Sequence, residues 1–375
     1  MLKIAIAFAI ATLVAVFATR DFSASSDPRY SQITDGEVVE FFRTSASFDE
    51  AEQAWHIPVH GWVYQPEDST VRKALFASIM KNEFGLVPSN ETEANFTRRI
   101  NLMIADNERD RHIVISMAGQ TFVLPESAPN GHFAMTITLS ASAVEKFRSG
   151  AVLAYSAVVD PAVNSQFGGE SLLVGPAGLS IISDIDDTVK ISNINDRRSL
   201  LQHTFLLDFA AVPGMAPLYA QWSGQGASLH FVSSSPWQLY APLDEFLAAA
   251  GFPVSTLTLK AVRFRDKTLF DLFKKGTETK PATIEKILRT YKGRRFILVG
   301  DSGEHDPEVY AALLRKFPDQ IQTVYIRNVS SETFDNDRFT MLFDGIDSDR
   351  WQLFKEADSI QPLNNPPELP AKTSQ

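Results

Sequence analysis

The sequence predicts an α/β protein in two parts, a small β-rich N-terminal part followed by a parallel sheet covered by helices. From Leu179 onward, short apolar segments alternate with amphipathic ones, as strands and helices do in a parallel sheet. Before that point, several segments alternate between apolar and polar residues, which is typical of strands with one solvent-facing side. Acidic and hydroxyl side chains follow several apolar segments, where ligands of open α/β sheets bind.

Length and composition narrow the possible functions. The 375 residues carry a formal charge of −10 and include no cysteine. This length is enough for two domains with their own cores. The negative charge gives no support to nucleic-acid binding, which favours a basic surface. The lack of cysteine excludes disulfides, thiolate catalysis and cysteine-ligated zinc.

The first eighteen residues differ from the rest of the chain. Lys3 precedes an uncharged apolar stretch over residues 4–18, and small side chains at Val16 and Ala18 permit cleavage before Thr19. Such a stretch is short for a membrane span and suits the core of a secretory signal. We predict a signal peptide over residues 1–18, with an uncleaved anchor as the alternative, and a secreted or periplasmic product. Residues 19–33 are predicted to be a polar linker.

The domain prediction follows from these patterns. Residues 34–175 are expected to form a β-rich domain with one helix, for which a sandwich is one possible arrangement, and residues 176–350 a catalytic domain. Residues 351–375 are polar and proline-containing and are predicted to be a flexible tail. Strands are predicted at 57–66, 112–126 (two strands with a turn near Gly119), 131–140, 151–159, 179–182, 227–233, 254–260, 294–301 and 322–328, and helices at 68–85, 236–251, 281–292 and 306–317.

Polar side chains suited to phosphate chemistry occur in four places of the second part. They are residues 184–188, the serines 233–235, Lys280 and residues 300–306. A carboxylate can attack phosphorus, and a second acid can protonate the leaving oxygen and then activate water. Mg²⁺ prefers carboxylates, substrate oxygens and water, while hydroxyl and ammonium groups can hold phosphate oxygens. These residues therefore predict a phosphoryl-transfer site.

At these residues the chain resembles the haloacid dehalogenase superfamily of aspartyl phosphatases, whose four motifs occur here in order. The resemblance implies a Rossmann-like sheet and Mg²⁺ as the cofactor. It implies Asp184 as the nucleophile and Asp186 as the general acid/base. The other implied roles are phosphate binding by Thr188, Ser233, Ser234 and Lys280, metal binding by Asp184, Asp186 and Asp301, and support by Asp306 and Glu304.

Three longer strings narrow the resemblance. SDIDDT (183–188), SSSPWQLY (233–240) and GDSGEHDPEVY (300–310) are similar to strings of the actin-patch-associated phosphatidate phosphatase family and its bacterial relatives. This similarity implies phosphatidate or a related lipid phosphate as substrate. Two features depart from the family: Ser234 stands where asparagine is common, and the proline-rich tail of the fungal relatives is absent. The predicted signal peptide also sets the chain apart from actin-patch proteins.

Some interpretations stay open at this point. A lipid- or partner-binding protein with a vestigial phosphatase scaffold is one alternative, and a phosphatase of a soluble or envelope phosphoester is another. No interval between the motifs is long enough for an evident cap domain, so the site is expected to admit bulky or surface-presented phosphates. Basic residues between Lys260 and Lys280 form either a membrane-surface contact or a solvated face.

Four residues near the motifs carry their own expectations. Asp187 is expected to be structural or solvent-facing, and Ser235 to cap the helix that begins near Pro236. Thr188 either fixes the turn or contacts phosphate, and Lys275 competes with Lys280 for the role of the motif lysine.

Overall fold

The computed structural model describes residues 27–67, 69–261, 279–329 and 337–360. The predicted signal peptide, Lys275 with most of the basic stretch, and the last fifteen residues of the predicted tail lie outside the described residues. Among the described residues, no helix is both long and apolar enough to cross a membrane.

The N-terminal part is a nine-stranded sheet built around the long strand β3 (Ala54–Gln65). The other strands are β1 (Val38–Phe42), β2 (Thr44–Asp49), β4 (Asp106–Asn107), β5 (Val114–Met117), β6 (Gln120–Val123), β7 (His132–Ser140), β8 (Val152–Ala157) and β9 (Gly168–Val174). Strands β1 and β2 follow one another along one edge of β3, and β7 and β4 along the other. Strands β9, β8, β5 and β6 continue the sheet from β2.

Three helices accompany this sheet, where the sequence predicted one. They are α1 (Thr70–Phe84), α2 (Glu93–Ile104) and the short α3 (Ala141–Glu145). Ser69 begins α1 by accepting a hydrogen bond from the Arg72 N–H, and Gly85 ends it with a left-handed φ of 62°. The missed helix α2 buries Phe96, Ile100 and Met103, whose spacing is helical, so the sequence did carry a signal for it.

The second part confirms the predicted α/β fold. Its six parallel strands lie in the order β12-β11-β10-β13-β14-β15. The strands are β10 (Gly178–Ser183), β11 (Ser228–Pro236), β12 (Thr256–Lys260), β13 (Arg294–Asp301), β14 (Ile321–Arg327) and β15 (Trp351–Phe354), and the helices are α4 (Arg197–Phe205), α5 (Met215–Gly224), α6 (Tyr240–Ala249), α7 (Thr279–Thr290), α8 (Asp306–Lys316) and α9 (Asp337–Leu342).

Two segments are more ordered than predicted. Residues 351–360, the start of the predicted flexible tail, include the edge strand β15, where Trp351 stacks on Phe343 at 4.1 Å. Residues 27–33, the end of the predicted linker, dock on the first sheet: the Ser31 N–H donates to the Val158 carbonyl, and Ile33 is buried. In both places apolar side chains find a partner that is distant in sequence, which local composition does not indicate.

The two parts share a continuous hydrophobic core. Phe42 and Trp62 of the first sheet belong to the same buried cluster as Leu179 and Ile181 of β10. Phe42 stacks on Trp237 with ring centroids 4.3 Å apart. Polar contacts reinforce this boundary, since Arg43 donates from its backbone N–H to the Tyr240 hydroxyl at 2.8 Å and pairs with Asp244 at 2.7 Å. The N-terminal part is therefore packed directly against the segment that follows β11.

We predict that Phe42→Ala lowers the free energy of unfolding by about 3–5 kcal/mol, because a buried ring that joins both parts leaves a cavity. Urea denaturation followed by tryptophan fluorescence measures the change. Val123→Ala, on an exposed side chain of β6, is the control and should change the value by less than about 0.5 kcal/mol. A loss below about 1 kcal/mol for Phe42→Ala would contradict the shared core.

Candidate active site

The central strand β10 places the first candidate carboxylate. Its side chains are buried because β11 and β13 flank it and helices cover both faces. Asp184 follows the last residue of the strand, and its backbone N–H donates to the Val299 carbonyl of β13 at 2.9 Å. The side chain of Asp184 therefore lies at the carboxyl edge of the sheet, and only 1% of the residue is exposed.

Three carboxylates meet at this edge. Asp184, Asp301 and Asp306 each offer an oxygen, and these oxygens all lie within 4.8 Å of one another. Lys280, on the first turn of α7, donates to Asp184 Oδ1 at 2.9 Å and forms an ion pair with Asp306. We call these four residues the acid cluster. All of them are buried, so the cluster concentrates negative charge in a region that water hardly reaches.

The loop after β13 is shaped to bring Asp301 and Asp306 together. Asp306 begins α8, and its Oδ2 accepts the Asp301 N–H at 3.3 Å. A Cβ at Gly300 would lie 2.2 Å from Asp306 Oδ2 and 2.7 Å from a ring carbon of Tyr310, so only glycine permits this approach.

Burial dominates the electrostatics of the acid cluster. It raises the pKa of the Asp184 carboxyl well above its usual value; Lys280 opposes this effect and Asp306 adds to it. Burial, together with Asp306 and Asp184, likewise raises the pKa of Asp301. The pKa of Lys280 is also raised, because Asp184 and Asp306 outweigh the cost of burying the ammonium. Lys280 is therefore a fixed cation, whereas the charged forms of Asp184 and Asp301 are disfavoured.

The donor set fits a divalent cation. Asp301 Oδ1 accepts the Gly303 N–H at 2.7 Å and the Glu304 N–H at 3.3 Å, which orients the carboxylate. Its other oxygen, Oδ2, is buried and accepts no hydrogen bond from any described residue. A buried carboxylate oxygen without a donor is costly, and a hard cation held by carboxylates would satisfy it.

Asp186 has a different environment from Asp184. Its carboxylate accepts hydrogen bonds from Ser192 at 2.6 Å, Ser235 at 3.0 Å and Ser233 at 3.3 Å, and pairs with the Lys190 ammonium at 2.8 Å. Burial alone would raise the pKa of Asp186, but Lys190 and the hydroxyl donors hold it below its usual value. Its carboxylate also lies outside the group of three oxygens that fits a cation.

Sequence analysis missed part of this environment. Ser235 was expected to cap a helix, but its hydroxyl binds Asp186 and no side chain caps the turn at 237–239. Ser192 and Lys190 had no role in the prediction. Lys190 lies four residues after Asp186, and this short separation was the signal in the sequence that could have indicated their ion pair.

The remaining candidate residues take distinct positions. The Thr188 hydroxyl lies 3.4 Å from Asp184 Oδ2, so it contacts the candidate nucleophile directly. Ser234 is half-buried and, within the described ranges, donates no hydrogen bond to a candidate carboxylate. Glu304 is half-buried and acts on Asp184 and Asp301 through its charge.

Asp187 is structural, and the solvent-facing alternative is wrong. Only 4% of it is exposed, and its carboxylate accepts the N–H groups of Ser192 and Asn193 at 2.8 Å and of Ile194 at 2.7 Å. These three bonds hold residues 192–194 against the first motif. The chain reverses at Asp187, whose backbone adopts a left-handed φ of 53°. We call residues 192–194 the return loop.

No separate cap domain lies between the motifs in the described part of the chain. Helices α4 and α5 occupy the interval before β11, and α6 and β12 the described part of the interval before Lys280. Residues 262–278 of the second interval lie outside the described residues, so the open site remains a prediction.

We predict that Asp187→Ala lowers the free energy of unfolding by about 2–4 kcal/mol, because three N–H donors of the return loop lose a buried charged acceptor. Asp187→Asn, which keeps one acceptor oxygen and tolerates a left-handed backbone, should cost less than half as much. Thermal and urea unfolding of both variants provide the measurement. Equal stability of wild type and Asp187→Ala would show that the return loop is held by other contacts.

We also predict that Mg²⁺ raises the melting temperature more at about pH 7.5 than at about pH 5. The raised pKa values of Asp184 and Asp301 mean that the folded protein binds protons between the ordinary aspartate pKa of about 4 and the folded values. Stability from these groups therefore falls as pH rises through that window, and protons compete with the metal at its lower end.

Calorimetry with EDTA or Mg²⁺ at both pH values tests this expectation. Asp301→Asn should raise the melting temperature of the metal-free protein and reduce the shift caused by Mg²⁺, because one buried charge and one ligand are lost. A larger Mg²⁺ shift at the lower pH, or an undiminished shift in Asp301→Asn, would speak against a metal site at the acid cluster.

Known proteins are similar to this chain around the site. Residues 179–328 match the family described as phosphatidate phosphatase APP1, catalytic domain. Phosphatidate phosphatase APP1 of Saccharomyces cerevisiae is 36% identical over 166 residues, which are 43% of this chain and 28% of that protein. An uncharacterized protein of Schizosaccharomyces pombe is 28% identical over 257 residues, 68% of this chain and 39% of that protein.

These matches cover only part of each protein. The chain spans well under half the length of either curated relative. A solved ferredoxin-NADP+ reductase from Plasmodium falciparum is 8% identical to this chain. The alignment covers 79% of this chain and 99% of that one, and its TM-score of 0.18 is too low to indicate a shared fold. The match over residues 179–328 includes every motif residue named above, and the resemblance to the haloacid dehalogenase superfamily is consistent with it. The second part of this chain is similar to the APP1 catalytic domain over residues 179–328.

Proposed function

We propose that this chain is a Mg²⁺-dependent phosphatase that hydrolyses a phosphomonoester through an aspartyl-phosphate, with phosphatidate or a related lipid phosphate as substrate. The observation that carries the proposal is the buried acid cluster, with its single cation Lys280, at the carboxyl edge of the sheet that matches the APP1 catalytic domain. The name of the S. cerevisiae relative supports the substrate class.

In the first step a carboxylate oxygen of Asp184 attacks phosphorus. The new bond joins Asp184 Oδ to phosphorus, the bond from phosphorus to the alcohol oxygen breaks, and Asp186 gives that oxygen a proton. In the second step a water molecule attacks phosphorus while Asp186 takes its proton. The bond between phosphorus and Asp184 breaks, which releases inorganic phosphate and restores both carboxyl groups.

The donors around Asp186 suit this cycle. Before substrate binds, they hold the pKa of Asp186 low, so the carboxylate is ionised. A phosphate group brings negative charge and acceptor oxygens, towards which Ser233 and Ser235 can turn their hydroxyls. Loss of these hydrogen bonds and the added negative charge both favour a proton on Asp186. Substrate binding would thereby convert Asp186 into the acid that the first step requires.

Access to the site favours approach from the side of Asp186. The Asp186 side chain is 14% exposed, whereas that of Asp184 is 2% exposed. A phosphate that enters from this side meets the serine hydroxyls before it reaches Asp184.

The acid cluster supports a proposal for the metal ligands. Asp184, Asp301 and Asp306 would hold Mg²⁺, and Asp186 would not, because its carboxylate is engaged by Lys190 and three serines. When bound, Mg²⁺ supplies positive charge that polarises a phosphoryl oxygen and offsets the excess of carboxylates. The Lys280 ammonium bridges the carboxylates of Asp184 and Asp306 through its two ion pairs and thereby fixes their spacing.

We predict that Asp184→Asn lowers phosphate release by at least about a thousandfold, because an amide cannot form the covalent intermediate. Phosphate release is measured from phosphatidate vesicles and from soluble phosphomonoesters, each with Mg²⁺ and with EDTA. Asp319→Asn, at an exposed aspartate outside the site, is the matched control and should keep wild-type activity. The fold of Asp184→Asn should remain intact by circular dichroism. Retained turnover in this variant, or full activity in EDTA, would overturn the proposed mechanism.

A further inference from the structure

A polar cleft of about 500 Å³ opens beside the acid cluster. Its walls carry three asparagines, Asn193, Asn195 and Asn328, together with Arg327 and Asp196. The volume lies within the range of small-ligand sites in proteins. No step of the proposed mechanism uses these side chains.

The cleft adjoins the candidate metal ligand Asp301. Arg327 ends β14 and is the register partner of Asp301 in β13, and the Ser302 N–H donates to the Arg327 carbonyl at 2.9 Å. Asn195 reaches the same loop: a Cβ on Gly303 would lie 3.0 Å from Asp301 Oδ1 and 3.1 Å from Asn195 Nδ2. A group attached to a phosphate at the acid cluster can therefore extend into the cleft.

Arg327 is the cation of this cleft, and part of its donor capacity is unused. Its Nη1 donates to the Asp187 carbonyl at 2.6 Å, which ties the strand end to the first motif. Its Nε is buried and donates to no described residue. A buried guanidinium N–H without an acceptor is costly, and an oxygen atom of a ligand would remove that cost.

The chemistry of the lining selects the ligand class. Amide groups and a guanidinium dominate it, and the apolar contribution comes from Ile191 and Val329. This composition suits oxygen-rich groups better than an acyl chain. Two acidic residues of the lining, Asp187 and Asp196, more than offset the charge of Arg327, so a neutral ligand fits better than a second phosphate.

We propose that this cleft binds the alcohol part of the phosphomonoester, an oxygen-rich leaving group of the glycerol or polyol type. Arg327 and Asn195 donate hydrogen bonds to its hydroxyl or ester oxygens, and the asparagine carbonyls accept from its hydroxyls. The proposal rests on the proposed phosphatase function, since it assigns the other half of the same substrate. The glycerol backbone of a lipid phosphate and a soluble polyol phosphate share this chemistry.

A binding experiment tests the cleft without turnover. The Mg²⁺-loaded Asp184→Asn protein is titrated with glycerol 3-phosphate and, separately, with inorganic phosphate, which lacks the alcohol part. Adding Asn195→Ala should raise the Kd of glycerol 3-phosphate about tenfold, the worth of one hydrogen bond, and that of phosphate much less. Adding Asn82→Ala instead, at an exposed asparagine of α1, should change neither value. Equal changes for both ligands, or no change for glycerol 3-phosphate, would overturn the proposal.

Kinetics separates the two sources of the alcohol group. Values of kcat/KM for dioctanoyl phosphatidate, glycerol 3-phosphate and p-nitrophenyl phosphate are compared in wild type, Asn195→Ala and Arg327→Lys. The ratio of either glycerol ester to the aryl ester should fall about tenfold in both variants, mainly through KM, because lysine lacks the planar donor fork. A higher wild-type kcat/KM for dioctanoyl phosphatidate identifies the lipid as the source, and the reverse order identifies a soluble polyol phosphate.

An unchanged ratio in both variants contradicts the proposal that the cleft binds the alcohol part. Absence of turnover in wild type contradicts only the proposed phosphatase function.

Discussion

The acid cluster imposes a constraint that cannot relax within the protein. The carboxylates of Asp184, Asp301 and Asp306 lie together with one ammonium, Lys280, which pairs with Asp184 and Asp306, and all four side chains are buried. Their backbones are fixed by the ends of β10 and β13 and the start of α8, so the carboxylates cannot turn away from each other. Charge of one sign that is held in a region of low dielectric must be compensated by protons or by a cation. The geometry thus couples the stability of this edge of the sheet to whatever binds there.

The N-terminal part bears on this site through the segment after β11. Ser233 and Ser235 lie at the end of β11, and the next turn carries Trp237, which stacks on Phe42 of β1. Packing of that kind limits the positions open to the serine hydroxyls. The β-rich part therefore supports the segment that carries Ser233 and Ser235. A separate lipid- or partner-binding module would not have to pack against this segment.

Sequence patterns predicted the elements best where local and tertiary constraints agree. The strand predicted at 294–301 has the observed bounds, because its apolar run is buried on both faces and ends in an acid. Asp184 and Asp301 could be brought together from sequence, since parallel strands deliver their ends to one edge. Lys280, on the first turn of α7, was connected to them by the order of the motifs. Strand β15 and the contact of Ser235 with Asp186 could not be predicted from sequence, because both depend on partners that are distant in the chain. The cleft at Arg327 was missed for the same reason: it is formed by two loops with no shared motif.

The two aspartates at positions 184 and 186 show how environment separates identical side chains. Burial among other acids raises the pKa of Asp184, while Lys190 and the hydroxyls of Ser192 and Ser235 lower that of Asp186. Without ligands, this is the opposite of what the proposed chemistry needs, which is an ionised nucleophile and a protonated acid. A divalent cation beside Asp184 favours its charged form, and a phosphate that takes the serine donors favours the proton on Asp186. In the proposed mechanism each ligand would shift the protonation of one aspartate in the required direction, so both ligands would be needed before the first step.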